Sequence, residues 1–147
     1  MQVGLIPNGI PCMSADCFVD TNILVYSRDL GAGEKQVRAS ELVLELWNNR
    51  RGRVSIQVLN EYYVTVTRKL HPGLSSEHAW EDVSLLCAWN PVPMEWSLLE
   101  RGRRLHCEYA LSWWDALILA AAQVSNCGIL YSEDLTHEEV YGGVMVI

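Results

Sequence analysis

Short apolar runs alternate with longer segments of helical periodicity along most of this chain. The runs "CFV" at residues 17–19 and "ILY" at 129–131 are brief and apolar, whereas the apolar side chains of "SIQVLNEYYVTVTRKL" return every three or four residues. Alternation of this kind predicts a parallel sheet with helices packed on it. The expected fold class is therefore α/β, in three layers, with a central, mostly parallel sheet flanked by helices.

The expected elements cover most of the chain beyond residue 16. Strands are predicted at 17–19, 53–56, 92–94, 129–131 and 144–147, and helices at 22–28, 34–49, 57–70, 76–89, 97–109 and 113–125. Pro72 ends one helix because it has no amide hydrogen, and Gly128 allows the positive φ that ends another. Residues 1–15 contain two prolines and two glycines and show neither periodicity, which predicts an irregular leader before a single domain at 16–147. Met13 is a candidate start for the natural chain.

Length and composition narrow the class of protein. A chain of 147 residues, half of them hydrophobic, is long enough to bury one core. The longest uninterrupted apolar run, at 116–122, is far too short to cross a membrane. The N-terminus has neither the basic head nor the apolar stretch of an export signal. We expect a cytoplasmic protein with no membrane partner.

Charge and metal-binding side chains exclude several kinds of site. The five cysteines show no C-x-x-C spacing and the four histidines no H-E-x-x-H, so neither a disulfide framework nor a zinc site is indicated. The net charge of −7 argues against binding nucleic acid through a uniformly positive surface. A polyanionic partner would need a local basic patch or a bound cation.

Two acids follow predicted strands. Asp20 comes directly after the first strand and Asp134 follows "ILYSE" near the end of the chain. In open α/β sheets, ligands bind outside the carboxyl ends of the strands. Each acid taken alone is more simply explained as a helix cap or turn residue.

Two further acids lie on helical faces that should be buried. Glu61 borders an apolar stripe, where an unpaired carboxylate is costly to desolvate. Asp115 shares its face with apolar residues of a helix that is apolar nearly all round. The pattern S-x-x-D from Ser112 to Asp115 also predicts a helix cap, and a cap would direct the carboxylate rather than exclude a functional role.

One hypothesis accounts for all four acids. Carboxylates that cluster raise one another's pKa, and a divalent cation reverses that effect. Ligation by oxygen alone suits Mg²⁺ or Mn²⁺ far better than zinc. The acids are therefore expected to converge on a hard cation.

Four motifs occur in a characteristic order: "FVDTNILVY", "NEYYVTVTR", "WWDALILAAA" and "ILYSEDL". Together they resemble the PIN-domain ribonucleases, most closely the VapC-type toxins of bacterial toxin–antitoxin pairs, over residues 16–147. The resemblance implies a PIN-like fold. It also implies an acidic quartet and polar supporting residues; the quartet is matched by Asp20, Glu61, Asp115 and Asp134, and the supports by Thr21, Asn22 and Ser132.

The resemblance further implies a metal-dependent endoribonuclease. Mg²⁺, with Mn²⁺ as a substitute, would activate a water that attacks the RNA phosphodiester, leaving 5′-phosphate and 3′-hydroxyl ends. Family members commonly form homodimers and are neutralised by a small cognate antitoxin of the VapB type. Glu133 matches a variable family position and is expected to be solvated surface.

Basic clusters are candidates for contact with the RNA backbone, although each is more simply a solvated face. They are Arg50, Arg51 and Arg53; Arg68 and Lys69; and Arg101, Arg103 and Arg104. The six tryptophans are more simply core or interface residues than platforms for RNA bases.

Other functions stay open at this point. They are a catalytically silent PIN-like module that binds RNA or antitoxin, a PIN nuclease outside a toxin–antitoxin pair, and a nuclease that cuts DNA. A silent module could lose any of the four acids, yet all are present. A haloacid-dehalogenase-like phosphatase would require Asp-x-Asp after the first strand, and Asn22 occupies the second place.

Overall fold

A five-stranded mixed sheet forms the centre of the computed structural model, which describes residues 16–147. Its strands are β1 (Cys17–Val19), β2 (Gly52–Arg53), β3 (Ile129–Tyr131), β4 (Val140–Tyr141) and β5 (Val144–Val146). The strand order is β2-β1-β3-β5-β4, and every neighbouring pair is parallel except β4 and β5. The predicted α/β class with a mostly parallel sheet is confirmed. The predicted leader and Met13 lie outside the described residues.

Six α-helices flank this sheet within residues 16–147. They are α1 (Thr21–Arg28), α2 (Glu34–Asn48), α3 (Ile56–Arg68), α4 (Ser76–Leu86), α5 (Trp96–Tyr109) and α6 (Trp113–Val124). Serine hydroxyls at positions 55, 75 and 112 accept first-turn amide hydrogens of α3, α4 and α6. No helix in the described part of the chain combines the length and apolar character that a membrane crossing needs.

Three predicted elements differ from the structure. The strand predicted at 53–56 is only Gly52–Arg53, because Ser55 leaves the strand to cap α3. The strand predicted at 92–94 is wrong, since Val92 makes only an isolated bridge to Ser55. The helix predicted at 76–89 stops at Leu86 and continues as a 3-10 turn, Cys87–Trp89.

The short strand β4 is absent from the sequence prediction. Its two residues pair with β5 across Gly142 and Gly143, whose φ angles of 54° and 85° suit a tight hairpin turn. Two residues are too few to show a period, so only the hairpin pairing defines this strand.

Helix α6 lies in the core of the protein. Its residues from Ala116 to Ala122 are all buried, as the run of apolar side chains predicts. Gly102 lets α5 approach closely, because a Cβ atom there would lie 2.7 Å from Cδ2 of Leu117. The buried residues of α6 therefore fix the position of its first turn, which carries Asp115.

Gly52 should tolerate no side chain. A Cβ atom there would lie 2.4 Å from the indole of Trp89, which is itself buried, so Gly52→Ala overpacks the edge of the sheet. We expect its free energy of unfolding in a urea titration to fall by about 1–3 kcal/mol. The control Gly31→Ala meets only the Asp29 carboxylate, at 3.3 Å, and should change stability by about 0.5 kcal/mol or less. Equal stability of the two variants would contradict the packing argument.

Candidate active site

Asp20 lies at the carboxyl end of β1, with only 4% of its surface exposed. Its Oδ1 accepts a hydrogen bond from the Thr21 amide at 2.6 Å, and its Oδ2 accepts one from the Ser132 hydroxyl at 2.7 Å. Asp20 therefore is the N-cap of α1, as the simpler interpretation holds. It is also a buried carboxylate held at the edge of the sheet where ligands bind in α/β folds.

Ser132 joins Asp20 to the segment that carries Asp134. The Ser132 hydroxyl oxygen accepts the amide hydrogen of Asp134 at 3.1 Å while its own hydrogen goes to Asp20. The side-chain amide of Asn22 donates to Oδ2 of Asp134 at 3.1 Å. These bonds bring Asp20 and Asp134, from opposite ends of the chain, together beyond the carboxyl ends of the neighbouring parallel strands β1 and β3.

Glu61 is half-buried on α3, and each of its carboxylate oxygens accepts a hydrogen bond. Oε2 accepts from the Thr21 hydroxyl at 2.8 Å and Oε1 from the Gln57 amide at 3.0 Å. Thr21 thus joins two of the acids, because its backbone amide binds Asp20 and its side chain binds Glu61.

Asp115 occupies the first turn of α6 and is half-buried. The hydroxyl of Ser112 accepts its amide hydrogen at 3.1 Å, so the predicted cap is present. The negative charge of Asp115 is close enough to Asp134 to raise the pKa of that carboxyl. All four acids predicted from the sequence therefore belong to one neighbourhood.

Burial and neighbouring negative charges raise the pKa values of two carboxyl groups in this site, Asp20 and Asp134. Burial raises the pKa of Asp20 from 3.8 to about 6, and the charges of Asp134 and Glu61 add to the rise. Hydrogen bonds from Ser132 and Thr21 oppose it, because they stabilise the ionised form. The pKa of Asp134 is raised by desolvation and then by Asp115, against the hydrogen bond from Asn22. A cation at the site would relieve both effects.

The carboxylates of the four acids and the side-chain oxygen of Asn22 are oxygen donors that fit a hard divalent cation, although they do not converge on one point. Within residues 16–147, no three His, Cys, Asp or Glu side chains form a ready-made metal cluster. Hydrogen-bond donors instead hold three of the four carboxylates: Ser132 and Thr21 bind Asp20, Thr21 and Gln57 bind Glu61, and Asn22 binds Asp134. Oδ1 of Asn22 is buried without a hydrogen-bond partner, so an unsatisfied oxygen remains beside the acids. Oxygen donors of this kind suit Mg²⁺ or Mn²⁺.

Some residues of this neighbourhood were missed by the sequence analysis. Glu133, expected to be solvated surface, is exposed, yet its carboxylate accepts the Tyr26 hydroxyl at 2.6 Å and pairs with Lys35 at 2.9 Å. It thereby fastens the segment before Asp134 to α1 and α2. Gln57 is buried between α3 and α6. No local pattern could have revealed contacts between residues as far apart as Tyr26 and Glu133.

The basic clusters and tryptophans have varied environments. Arg53 pairs with Asp16 at 2.9 Å and Arg101 donates to Gln123 at 3.3 Å, so both contact their own chain. Arg103 and Arg104 are exposed on α5. Trp89 is buried in the core as expected; four of the others, Trp47, Trp80, Trp96 and Trp114, expose between 38% and 72% of their surface.

Comparison with known proteins connects this geometry to a family. The family model for the PIN domain matches residues 17–143. A chain of a toxin–antitoxin complex from Klebsiella pneumoniae has 25% identity and a TM-score of 0.63, covering 88% of this chain and 96% of its own. A chain of VapBC2 from Rickettsia felis, bound to a promoter DNA fragment, has 14% identity and a TM-score of 0.57, covering 89% and 96%.

The second of these likenesses concerns the fold alone, because its sequence identity is low. None of the curated proteins compared with this sequence matches it significantly. The family match nevertheless spans nearly all of the described residues and includes all four acids. The chain belongs to the PIN-domain family.

Proposed function

We propose that this protein is a metal-dependent endoribonuclease of the VapC type, neutralised by a cognate antitoxin. The observation that carries the proposal is the buried Asp20 carboxylate, whose pKa is raised to about 6 by burial and by the charges of Asp134 and Glu61. Ionisation of such a buried group carries a cost that its two hydrogen bonds reduce and that a bound cation would offset further. The similarity to a chain of a toxin–antitoxin complex supports the toxin assignment.

Asp20 and Asp115 are the proposed principal ligands, and Asp134 would hold a second ion or its waters. When bound, Mg²⁺ or Mn²⁺ supplies Lewis-acid polarisation of the scissile phosphate and acidifies a water. Glu61 would be a further ligand or would orient and deprotonate the attacking water. The Thr21 hydroxyl and the Gln57 amide donate to its two oxygens and so fix the direction of the carboxylate. The products would carry 5′-phosphate and 3′-hydroxyl ends.

Thr21, Asn22 and Ser132 direct the carboxylates in this proposal. Each donates a side-chain hydrogen bond to one acid: Thr21 to Glu61, Asn22 to Asp134 and Ser132 to Asp20. Donors of this kind orient metal ligands and tune their basicity. Ser132 also receives the amide of Asp134, so one hydroxyl positions parts of two ligands.

An antitoxin partner is supported by a groove between α1, α2, α3 and α4. Its volume is about 280 Å³, and its walls are mostly apolar. Leu44 and Leu85 on its rim expose 59% and 60% of their surface. Apolar side chains of an antitoxin helix would cover these leucines. A homodimer is proposed on the family resemblance alone.

RNA cleavage tests the proposed function. Purified protein freed of partners should cut total RNA with Mg²⁺ or Mn²⁺ and stop when the metal is chelated. Asp20→Asn keeps the size of the side chain and removes its charge, so we expect a loss greater than the roughly 10- to 100-fold typical of residues behind a metal ligand. The control Asp29→Asn makes the same change at the other end of α1 and should retain activity. If the wild type and Asp20→Asn are equally active or equally inert, a silent binding module becomes the better account.

The acidity of Asp20 also predicts how metal-free stability changes with pH. The folded protein binds the Asp20 proton more tightly than the unfolded chain, whose pKa is near 3.8. Stability in chelator should therefore fall as pH rises from about 4 through about 6, by up to about 3 kcal/mol from this group.

Urea unfolding at pH 5 and pH 7.5 measures this effect. Asp20→Asn should lose this part of the pH dependence. The slope with pH is compared rather than the absolute stability, because an amide oxygen can replace only one of the two carboxylate oxygens that accept hydrogen bonds. Mn²⁺ should stabilise the wild type more at pH 7.5 than at pH 5, since it binds the ionised carboxylate. The same slope in the two proteins would show that Asp20 does not carry the buried charge.

A further inference from the structure

We infer that Gln57 is a positioning residue that couples Glu61 on α3 to the start of α6, where Asp115 lies. Its effect on metal binding rests on the proposed function, whereas the coupling of the two helices does not. The side chain is 6% exposed and lies in the first turn of α3, one helical turn before Glu61.

The amide of Gln57 donates in two directions. Nε2 lies 3.0 Å from Oε1 of Glu61 and 3.4 Å from the carbonyl oxygen of Trp114. An amide nitrogen carries two hydrogens, so both are used. The first bond is possible because residues four apart share one face of a helix, and the second crosses to another helix.

The contact with Trp114 acts on the backbone that presents Asp115. Trp114 directly precedes Asp115 in α6, and helical geometry already directs its carbonyl to the amide four residues later. Gln57 therefore uses the second lone pair of this oxygen, and the bond restrains the rotation and position of the first turn of α6. Ser112 restrains the same turn from its other end, through the amide of Asp115.

Together with Thr21, Gln57 completes a continuous chain of hydrogen bonds through three acidic segments. Thr21 binds Asp20 with its amide and Glu61 with its hydroxyl. Gln57 holds the opposite oxygen of Glu61 and continues to α6. Like-charged side chains tend to move apart, and the neutral donors Thr21 and Gln57 hold the Glu61 carboxylate from both sides against that tendency.

Gln57→Met tests this inference, because methionine is of similar length and has no donor. The control is Gln123→Met near the other end of α6, which removes an amide that donates to the Gly142 carbonyl at 2.9 Å and accepts from Arg101 at 3.3 Å, away from the acids. Three quantities are measured on each full-length variant: hydrogen exchange of residues 112–118 without metal, Mn²⁺ affinity without RNA, and kcat and KM for RNA cleavage.

We expect Gln57→Met to speed exchange at 112–118 several-fold, since a buried hydrogen bond is lost. Its Mn²⁺ affinity and kcat should fall by roughly tenfold with little change in KM. Gln123→Met should leave hydrogen exchange at 112–118 and Mn²⁺ affinity near wild type, because its contacts lie away from the first turn of α6. Exchange and Mn²⁺ affinity of Gln57→Met within twofold of the control would overturn the inference.

The three measurements also distinguish failure of this inference from failure of the proposed function. If the wild type cuts no RNA or binds no Mn²⁺, the proposed function fails, and hydrogen exchange alone decides whether Gln57 couples the helices. If the wild type cuts RNA and Gln57→Met matches it in every measurement, the proposed function stands and Gln57 has no positioning role.

Discussion

The buried carboxylate of Asp20 is the constraint on which the rest of the site depends. It lies at the end of a central strand, where solvent cannot stabilise its charge, and its pKa is raised accordingly. Two of the three polar supports bind it directly, Thr21 through the amide and Ser132 through the hydroxyl. Each of these two supports also reaches a second acid or its backbone, so Glu61 and Asp134 are tied to the same groups that hold Asp20.

The apolar core supplies the rigidity that such an arrangement needs. Parallel pairing of β1 with β3 places Asp20 and Ser132 side by side, although they are 112 residues apart in the chain. Helix α6 brings Asp115 from a different layer, and its buried residues, packed close to α5 at Gly102, fix that helix. Hydrogen bonds then adjust the side chains by small amounts on elements that packing has already placed.

Sequence reasoning succeeded where the signal was long or chemically unusual. The buried helix α6 and the central strands were both predicted, because long apolar runs are visible locally. It failed at short edge elements. The strand expected at 92–94 is a single bridge at Val92, and β4 went unnoticed, because such elements form through partners rather than through their own pattern.

The sequence by itself determined the α/β class and showed four acids at strand ends and on apolar helix faces, since periodicity and the placement of charges along it can be read from the chain. Only the tertiary structure decided how those acids are held. The bridge from Thr21 to Glu61, the attachment of Glu133 to Tyr26, and the double donation by Gln57 all join residues on different elements. Hydrogen bonds of this kind require the donor and acceptor atoms to be placed to within a few tenths of an ångström, and no spacing along a sequence specifies such positions.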